Sequence, residues 1–129
     1  MTPVATKQLS LHFSLKEFLV TSYPHLNDMP SEEAVDNLTY LCASVMEPLR
    51  LIWNVPIKIT SGYRSVTLNM KVGGVPGSLH QEGLACDFTT SGKDALHLFL
   101  MALPRITFHK LIYYVDQGRF HAEVRRDSN

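Results

Sequence analysis

Apolar residues recur at helical spacing along parts of this chain and alternate along others. Helical spacing predicts a short helix from about residue 15, a long helix over residues 31–52 and another over residues 91–103. A short helical segment is also expected over residues 66–72. Alternation predicts strands over residues 57–60, 84–89, 110–115 and 119–124. This order predicts an α+β fold in which a small antiparallel sheet is backed by helices.

Capping residues and turn residues mark where the helices start and stop. Ser14 with Glu17 three residues later forms a capping box, and Ser31 precedes the long helix. Pro48 lies inside the long helix and is expected to kink or divide it. The last two strands should form a hairpin whose three-residue turn, residues 116–118, ends on a left-handed Gly118.

Length and charge restrict the class of protein. The chain of 129 residues fits one domain, expected over residues 9–124, with flexible termini at 1–8 and 125–129. A formal net charge of zero disfavours nucleic-acid binding, and no apolar run is long enough to span a bilayer. We expect a monomer. The first ten residues lack the apolar core of a signal peptide, so a cytoplasmic location is the default, with release to the cell wall as a phage-type lytic enzyme as the alternative.

The two cysteines, Cys42 and Cys86, form neither a disulfide framework nor a CxxC metal motif. Both lie in apolar patterns, so we interpret them as small buried hydrophobic residues.

The stretch over residues 78–87 carries the chemistry. It places His80 and Asp87 seven positions apart, and a turn at Gly83 would bring both side chains together. On the last strand His121 shares a face with Arg119 and Glu123. His80, Asp87 and His121 therefore form a candidate zinc site with its fourth position open to water. The alternative is a metal-free cluster in which these three groups simply hydrogen-bond to one another. We interpret the other histidines as surface, loop or core-edge residues.

Two further residues fit a hydrolytic site. Arg64, in the turn after the first strand, is placed to stabilise an oxyanion as a substrate carbonyl is attacked. The hydroxyl of Ser78 is placed to assist.

These residues fall into a recognisable pattern: Ser61-Gly62-Tyr63-Arg64, then Asn69, then Gly73-Gly74, then Ser78-x-His80-x-x-Gly83-x-Ala85-x-Asp87, then a late-strand histidine. Nearly the whole chain, about residues 9–124, resembles the zinc D-Ala-D-Ala carboxypeptidase family in its compact single-domain branch. That family includes the vancomycin-resistance D,D-dipeptidases, phage L-alanyl-D-glutamate endolysins and the hedgehog signalling domain.

The resemblance implies a role for each matched residue. His80, Asp87 and His121 would hold one Zn²⁺ per chain, and Arg64 would steady the substrate carbonyl. The expected substrate-binding residues are Tyr63 and Ser78 from the matched motifs and, outside those motifs, Tyr114, for which a packed cross-strand aromatic is the alternative. The implied substrate is a peptidoglycan stem peptide or a related peptide containing D-amino acids, and the implied reaction is hydrolysis.

One position departs from the family pattern. Members commonly carry a glutamate, the general base, three residues before the last histidine, where this chain has Gly118. Glu123 and Asp116 are the candidate substitutes. Side chains two apart on a strand are about 6.5–7 Å apart, so Glu123 is expected to act only through a water molecule. The competing hypothesis is a catalytically impaired pseudo-enzyme that binds zinc and recognises cell-wall peptide or a protein partner.

Overall fold

The computed structural model describes residues 7–90 and 94–126. Its helices are α1 (Glu32–Leu41), α2 (Glu47–Trp53), α3 (Val66–Lys71) and α4 (Ala95–Ala102), and its strands are β1 (Ile57–Ser61), β2 (Ala85–Thr90), β3 (Lys110–Tyr114) and β4 (Arg119–Glu123). Short 3₁₀ turns occupy Leu15–Leu19, Pro24–Leu26 and Leu79–Glu82. No helix in these ranges has both the length and the hydrophobicity needed to span a bilayer.

The four strands form one antiparallel sheet in the order β1-β2-β4-β3. One face is covered by the helices: Phe88 and Phe120 stack 5.3 Å apart, and the Trp53 ring from α2 lies 5.0 Å from Phe120. The opposite face carries Asp87 and His121. The predicted α+β architecture is therefore confirmed, and the uncovered face leaves room for a site.

The long predicted helix is one continuous helical path with an irregular centre. Between α1 and α2 the segment Cys42–Met46 has π-helical hydrogen bonds, and the Glu47 amide donates to the Cys42 carbonyl. Pro48 follows this turn directly and lies in the first turn of α2. A proline has no N–H to donate and crowds the carbonyl four residues earlier, so a wider turn before it relieves both problems.

The predicted helix caps are confirmed. The Ser14 amide donates to Glu17 at 2.7 Å, and the Ser31 hydroxyl accepts from the Ala34 amide at 3.1 Å. The predicted start of the last helix at Ser91 lies outside the described residues; α4 is capped by Asp94.

The hairpin turn is longer than predicted. The strands end at Tyr114 and resume at Arg119, so four residues, 115–118, connect them instead of three. Gly118 does adopt the left-handed conformation, with φ of +63°. Its amide donates to the Tyr114 carbonyl at 2.9 Å, which closes the turn.

Parts of the predicted termini pair with the domain. The Lys7 carbonyl accepts from the Leu15 amide at 2.8 Å, and the Arg126 guanidinium lies 4.9 Å from the Tyr40 ring centre. The remaining terminal residues, 1–6 and 127–129, lie outside the described ranges. Cys42 and Cys86 are both fully buried, as predicted, and burial raises the pKa of the Cys42 thiol to about 12.

Candidate metal centre

A short turn formed by the residues next to His80 in the sequence holds this histidine in place. The Ser78 hydroxyl accepts from the His80 amide at 3.2 Å at the start of the 3₁₀ turn Leu79–Glu82. Gly83 ends the turn with φ of +77°, where a Cβ atom would come within 2.5 Å of the Ala34 carbonyl oxygen on α1. Glycine is therefore required both by the backbone conformation and by the packing of this turn on α1.

Asp87 and His121 face each other across two paired strands. They are direct partners in the register of β2 and β4. The His121 Nδ1 and Asp87 Oδ1 atoms are 2.6 Å apart, and the His80 Nε2 atom lies 3.8 Å from the same oxygen. One donor atom from each of the three residues lies within 4.8 Å of the others, so the predicted ligands converge.

The remaining ring nitrogens are engaged on the outside of this cluster. The His80 Nδ1 atom is 2.8 Å from the Gly62 carbonyl oxygen, and the His121 Nε2 atom is 2.9 Å from Glu123 Oε1. For His80, the N–H donated outwards leaves Nε2 with its lone pair directed inwards, as metal-ligating histidines require. His121 Nδ1 also points inwards, where its N–H donates to the Asp87 carboxylate and would be given up when a metal binds. Two imidazole nitrogens and one carboxylate oxygen match the donor set of open zinc sites. The residues therefore fit a zinc ion.

The protonation of the three residues follows from their surroundings. Burial lowers the pKa of the His80 imidazole to about 4, so the ring is neutral at neutral pH and its approach to Asp87 is not an ion pair. Burial alone would raise the pKa of Asp87, but the hydrogen bond with His121 and the neighbouring positive groups outweigh burial and lower it. Burial alone would lower the pKa of His121, but its bonds to Asp87 and Glu123 raise it.

Arg119 and Glu123 flank His121 on the open face of β4, as predicted, while Phe120, Ala122 and Val124 are buried. The Arg119 Nη1 atom lies 3.4 Å from Asp87 Oδ2, whereas the histidine contacts are made to Oδ1. The carboxylate of Glu123 contacts His121 directly, since the two side chains lean towards each other along the strand. The spacing of about 6.5–7 Å describes where side chains two apart leave the strand, and it does not keep the tips of these two apart.

The cluster opens into a cavity of about 520 Å³, called here the metal cavity. Its wall includes Arg64, Ser78, Lys110, Tyr114 and Arg119 besides the three candidate ligands and Glu123. The guanidinium of Arg119 stacks on the Tyr114 ring at 4.1 Å. Burial lowers the pKa of the Arg64 guanidinium, which nonetheless faces the negative charge of Asp87. Three basic side chains thus surround an acidic centre.

Two of the predicted site residues do not line this cavity. Tyr63 packs against the hydrophobic core, and its carbonyl accepts from the Asn27 side chain at 3.1 Å. Asp116 is exposed in the hairpin turn. The structure therefore groups Arg64, Ser78, Tyr114 and Glu123 with the candidate ligands but leaves Tyr63 and Asp116 outside.

The sequence alone indicates no role for three groups that contact the cluster or line its cavity: the Gly62 carbonyl, Arg119 and Lys110. The alternation of β4 places Arg119 on the same face as His121, so its contact with Asp87 was accessible from the sequence once β2 and β4 were paired. The contact between the Gly62 carbonyl and His80 could not be predicted from the sequence, because a backbone oxygen carries no sequence signature.

Fold and site together define an α+β domain whose open sheet face carries a His-Asp-His cluster of the metallopeptidase type. A family model described as Peptidase M15 matches residues 12–122, most of the chain. The chain therefore belongs to the Peptidase M15 family, a group of zinc peptidases of the peptidoglycan-related type. No curated protein matches the chain.

Proposed function

We propose that this protein is a zinc-dependent peptidase that holds one Zn²⁺ per chain and hydrolyses peptidoglycan stem peptides containing D-amino acids, as a D-Ala-D-Ala carboxypeptidase or an endopeptidase. The observation that carries the proposal is the orientation of the cluster. The outward bonds to Gly62 and Glu123 leave His80 Nε2 and His121 Nδ1 turned towards Asp87 Oδ1, at the base of an open cavity. Access to the cell wall by release of the protein is part of this proposal.

The chain's own residues supply binding and charge. When bound, a zinc ion at such a site acts as a Lewis acid that polarises a peptide carbonyl and activates water. Arg64 lines the cavity beside His80, since its amide donates to the His80 carbonyl at 3.0 Å. A guanidinium in that position stabilises negative charge that develops on the substrate carbonyl oxygen. Tyr114, backed by Arg119, offers a flat wall against which a peptide can lie.

Glu123 is the favoured proton acceptor. Asp87 and Glu123 are the acidic side chains among the described residues that line the metal cavity, and Asp87 is already committed as a ligand. Because Glu123 hydrogen-bonds His121, its first role is to orient the His121 ring. It can accept a proton from the attacking water only if its second carboxylate oxygen reaches that water. A positioned base contributes about 10²–10⁴-fold to the rate, so this role decides how active the protein is.

A binding-only protein is the second candidate function. It is favoured by the hydrogen bond that occupies Glu123 and by the exposed position of Asp116 outside the cavity. Such a pseudo-enzyme would hold zinc and recognise cell-wall peptide or a protein partner without cleaving it.

The test is hydrolysis of stem peptides ending in D-Ala-D-Ala, and of whole peptidoglycan, followed by mass spectrometry. We expect the zinc-loaded protein to release defined fragments, His80→Ala to release none, and Arg64→Ala to act much more slowly with its zinc retained. Exposed His109 supplies the matched control, since His109→Ala should behave as wild type. Zinc bound at full occupancy with no fragments released would support the binding-only function instead.

A further inference from the structure

The metal centre lies in the middle of a row of residues that crosses the whole sheet. Strand pairing places Ser61 opposite Asp87, Asp87 opposite His121, and His121 opposite Ile112. The metal cavity covers the part of the row formed by Asp87, His121 and Ile112. The remaining end of the row, at Ser61 on the edge strand β1, belongs to a different cavity.

This second cavity, called here the hydroxyl cavity, has a volume of about 270 Å³. It shares two wall residues, Arg64 and Asp87, with the metal cavity. The two cavities therefore adjoin at Arg64, the residue proposed to hold the substrate carbonyl. The Nε atom of Arg64 is buried and has no hydrogen-bond partner among the described residues.

The walls of the hydroxyl cavity differ in chemistry from those of the metal cavity. Hydroxyl groups come from Thr21, Ser22, Thr60 and Ser61, and apolar contacts come from residues such as Leu68. Apart from the shared Arg64 and Asp87, none of its lining residues is charged. Hydroxyl groups both donate and accept hydrogen bonds, so they suit the alternating N–H and C=O groups of a peptide backbone.

The length of the row fits an extended peptide. Neighbouring strands are about 4.8 Å apart, so the row of four strands is roughly 14 Å long. An extended chain rises about 3.3 Å per residue, so about four residues cover that distance. A dipeptide, at about 7 Å, would cover only half of the row.

We propose that the hydroxyl cavity is a second peptide-binding subsite, so that the substrate peptide crosses the open sheet face through both cavities and is bound beyond the two residues that form the cleaved bond. The inference rests on the proposed function and narrows its substrate to peptides longer than a dipeptide. Arg64 then holds the carbonyl at the junction, the metal cavity holds one side of the peptide, and the hydroxyl cavity holds the other.

The test measures how tightly peptides of different length bind to the whole zinc-loaded chain and how fast they are cleaved by it. The probes are a stem-type pentapeptide and versions shortened by one or two residues from either end, and the readouts are the dissociation constant and, where cleavage occurs, kcat/KM. Shortening from one end should weaken binding or lower kcat/KM about tenfold, as expected for the loss of one or two hydrogen bonds with their packing.

Variants locate the effect in the hydroxyl cavity. Thr60→Trp and, independently, Ser22→Trp place a large side chain in it, and both positions are exposed, so the fold should tolerate them. In these variants the long and shortened peptides should bind equally. Lys58→Trp, on the same strand and face but outside the cavity, should keep the wild-type ratio.

The outcomes separate this inference from the proposed function. Length-dependent binding that disappears in the two cavity variants supports the two-sided groove, whether or not any peptide is cleaved. Equal binding and equal cleavage of long and shortened peptides by the wild type would overturn the groove while leaving the peptidase in place. Binding with length dependence but no cleavage would keep the groove and overturn the peptidase.

Discussion

At the scale of single residues, the outward hydrogen bonds of the two histidines are as important as the ligand atoms. Glu123 and the Gly62 carbonyl each hold one ring nitrogen, which fixes the direction of the other. Outer partners of this kind typically contribute 10–100-fold to metal affinity.

The Glu123 contact therefore makes a prediction about zinc affinity. Glu123→Ala should weaken zinc binding about 10–100-fold in a chelator competition, because the His121 ring loses its anchor. Glu123→Gln keeps an acceptor oxygen and should lose less. A Glu123→Ala protein with wild-type zinc affinity and no hydrolysis would show instead that Glu123 is a base without an orienting role.

Gly83 makes a second prediction, because two different constraints act at its position. Gly83→Ala should lower the free energy of unfolding by about 2–4 kcal/mol in urea denaturation, since strain at positive φ adds to the close approach to Ala34. Gly77→Ala is the matched control: φ is +74° there, but the new Cβ meets no atom within 4 Å. It should cost only about 1–2 kcal/mol. An equal loss of unfolding free energy in the two variants would show that the close approach to α1 contributes nothing to the effect.

Residue identities were more predictable than their contacts. The spacing of His80 and Asp87, the turn at Gly83 and the face shared by Arg119, His121 and Glu123 followed from pattern and alternation. The bond between His121 and Glu123 did not, because strand geometry fixes where Cβ atoms lie and leaves the lean of long side chains open.

At the scale of elements, the helical path from α1 to α2 anchors the start of the domain. Glu47 at the first turn of α2 accepts from the Ser10 hydroxyl and the His12 amide, both at 2.6 Å, and lies 2.7 Å from His12 Nδ1. Burial alone would raise the pKa of Glu47, but these contacts outweigh burial and hold the pKa below its ordinary value. The sequence placed Glu47 within the long helix, and its role as an anchor required the fold.

This anchor gives stability a defined pH dependence. A carboxylate with a lowered folded-state pKa stabilises the fold above its unfolded pKa, and that contribution is lost as the pH falls through the folded-state pKa. Glu47→Gln should therefore be less stable than wild type by about 1–2 kcal/mol at pH 7 and nearly equal to it below that pKa. The measurement is urea denaturation at several pH values. Asp36→Asn, at an exposed position of α1, should show little effect; an unchanged Glu47→Gln deficit at low pH would contradict the account.

Element types were largely predictable, whereas irregularities between elements were not. The π-helical turn before Pro48 and the four-residue hairpin turn are local adjustments to crowding and twist. A hydrophobic pattern carries no information about either.

At the scale of the whole molecule, the two faces of the sheet have different roles. Its covered face packs Phe88 and Phe120 against the helices, and its open face presents a row of side chains from all four strands. The α+β class followed from the order of elements, but the strand order β1-β2-β4-β3 did not. That order places the metal centre at mid-sheet, inside the metal cavity and next to the hydroxyl cavity, which is why the hydroxyl cavity was not foreseen.

The most direct test of the account is the zinc content of the purified chain after loading and removal of excess metal. We predict one zinc per chain for the wild type and for His109→Ala, and loss of zinc from His80→Ala, Asp87→Ala and His121→Ala, each checked for a folded state by circular dichroism. Folded wild-type protein that retains no zinc, or ligand variants that retain it fully, would contradict the assignment of His80, Asp87 and His121 as the metal centre.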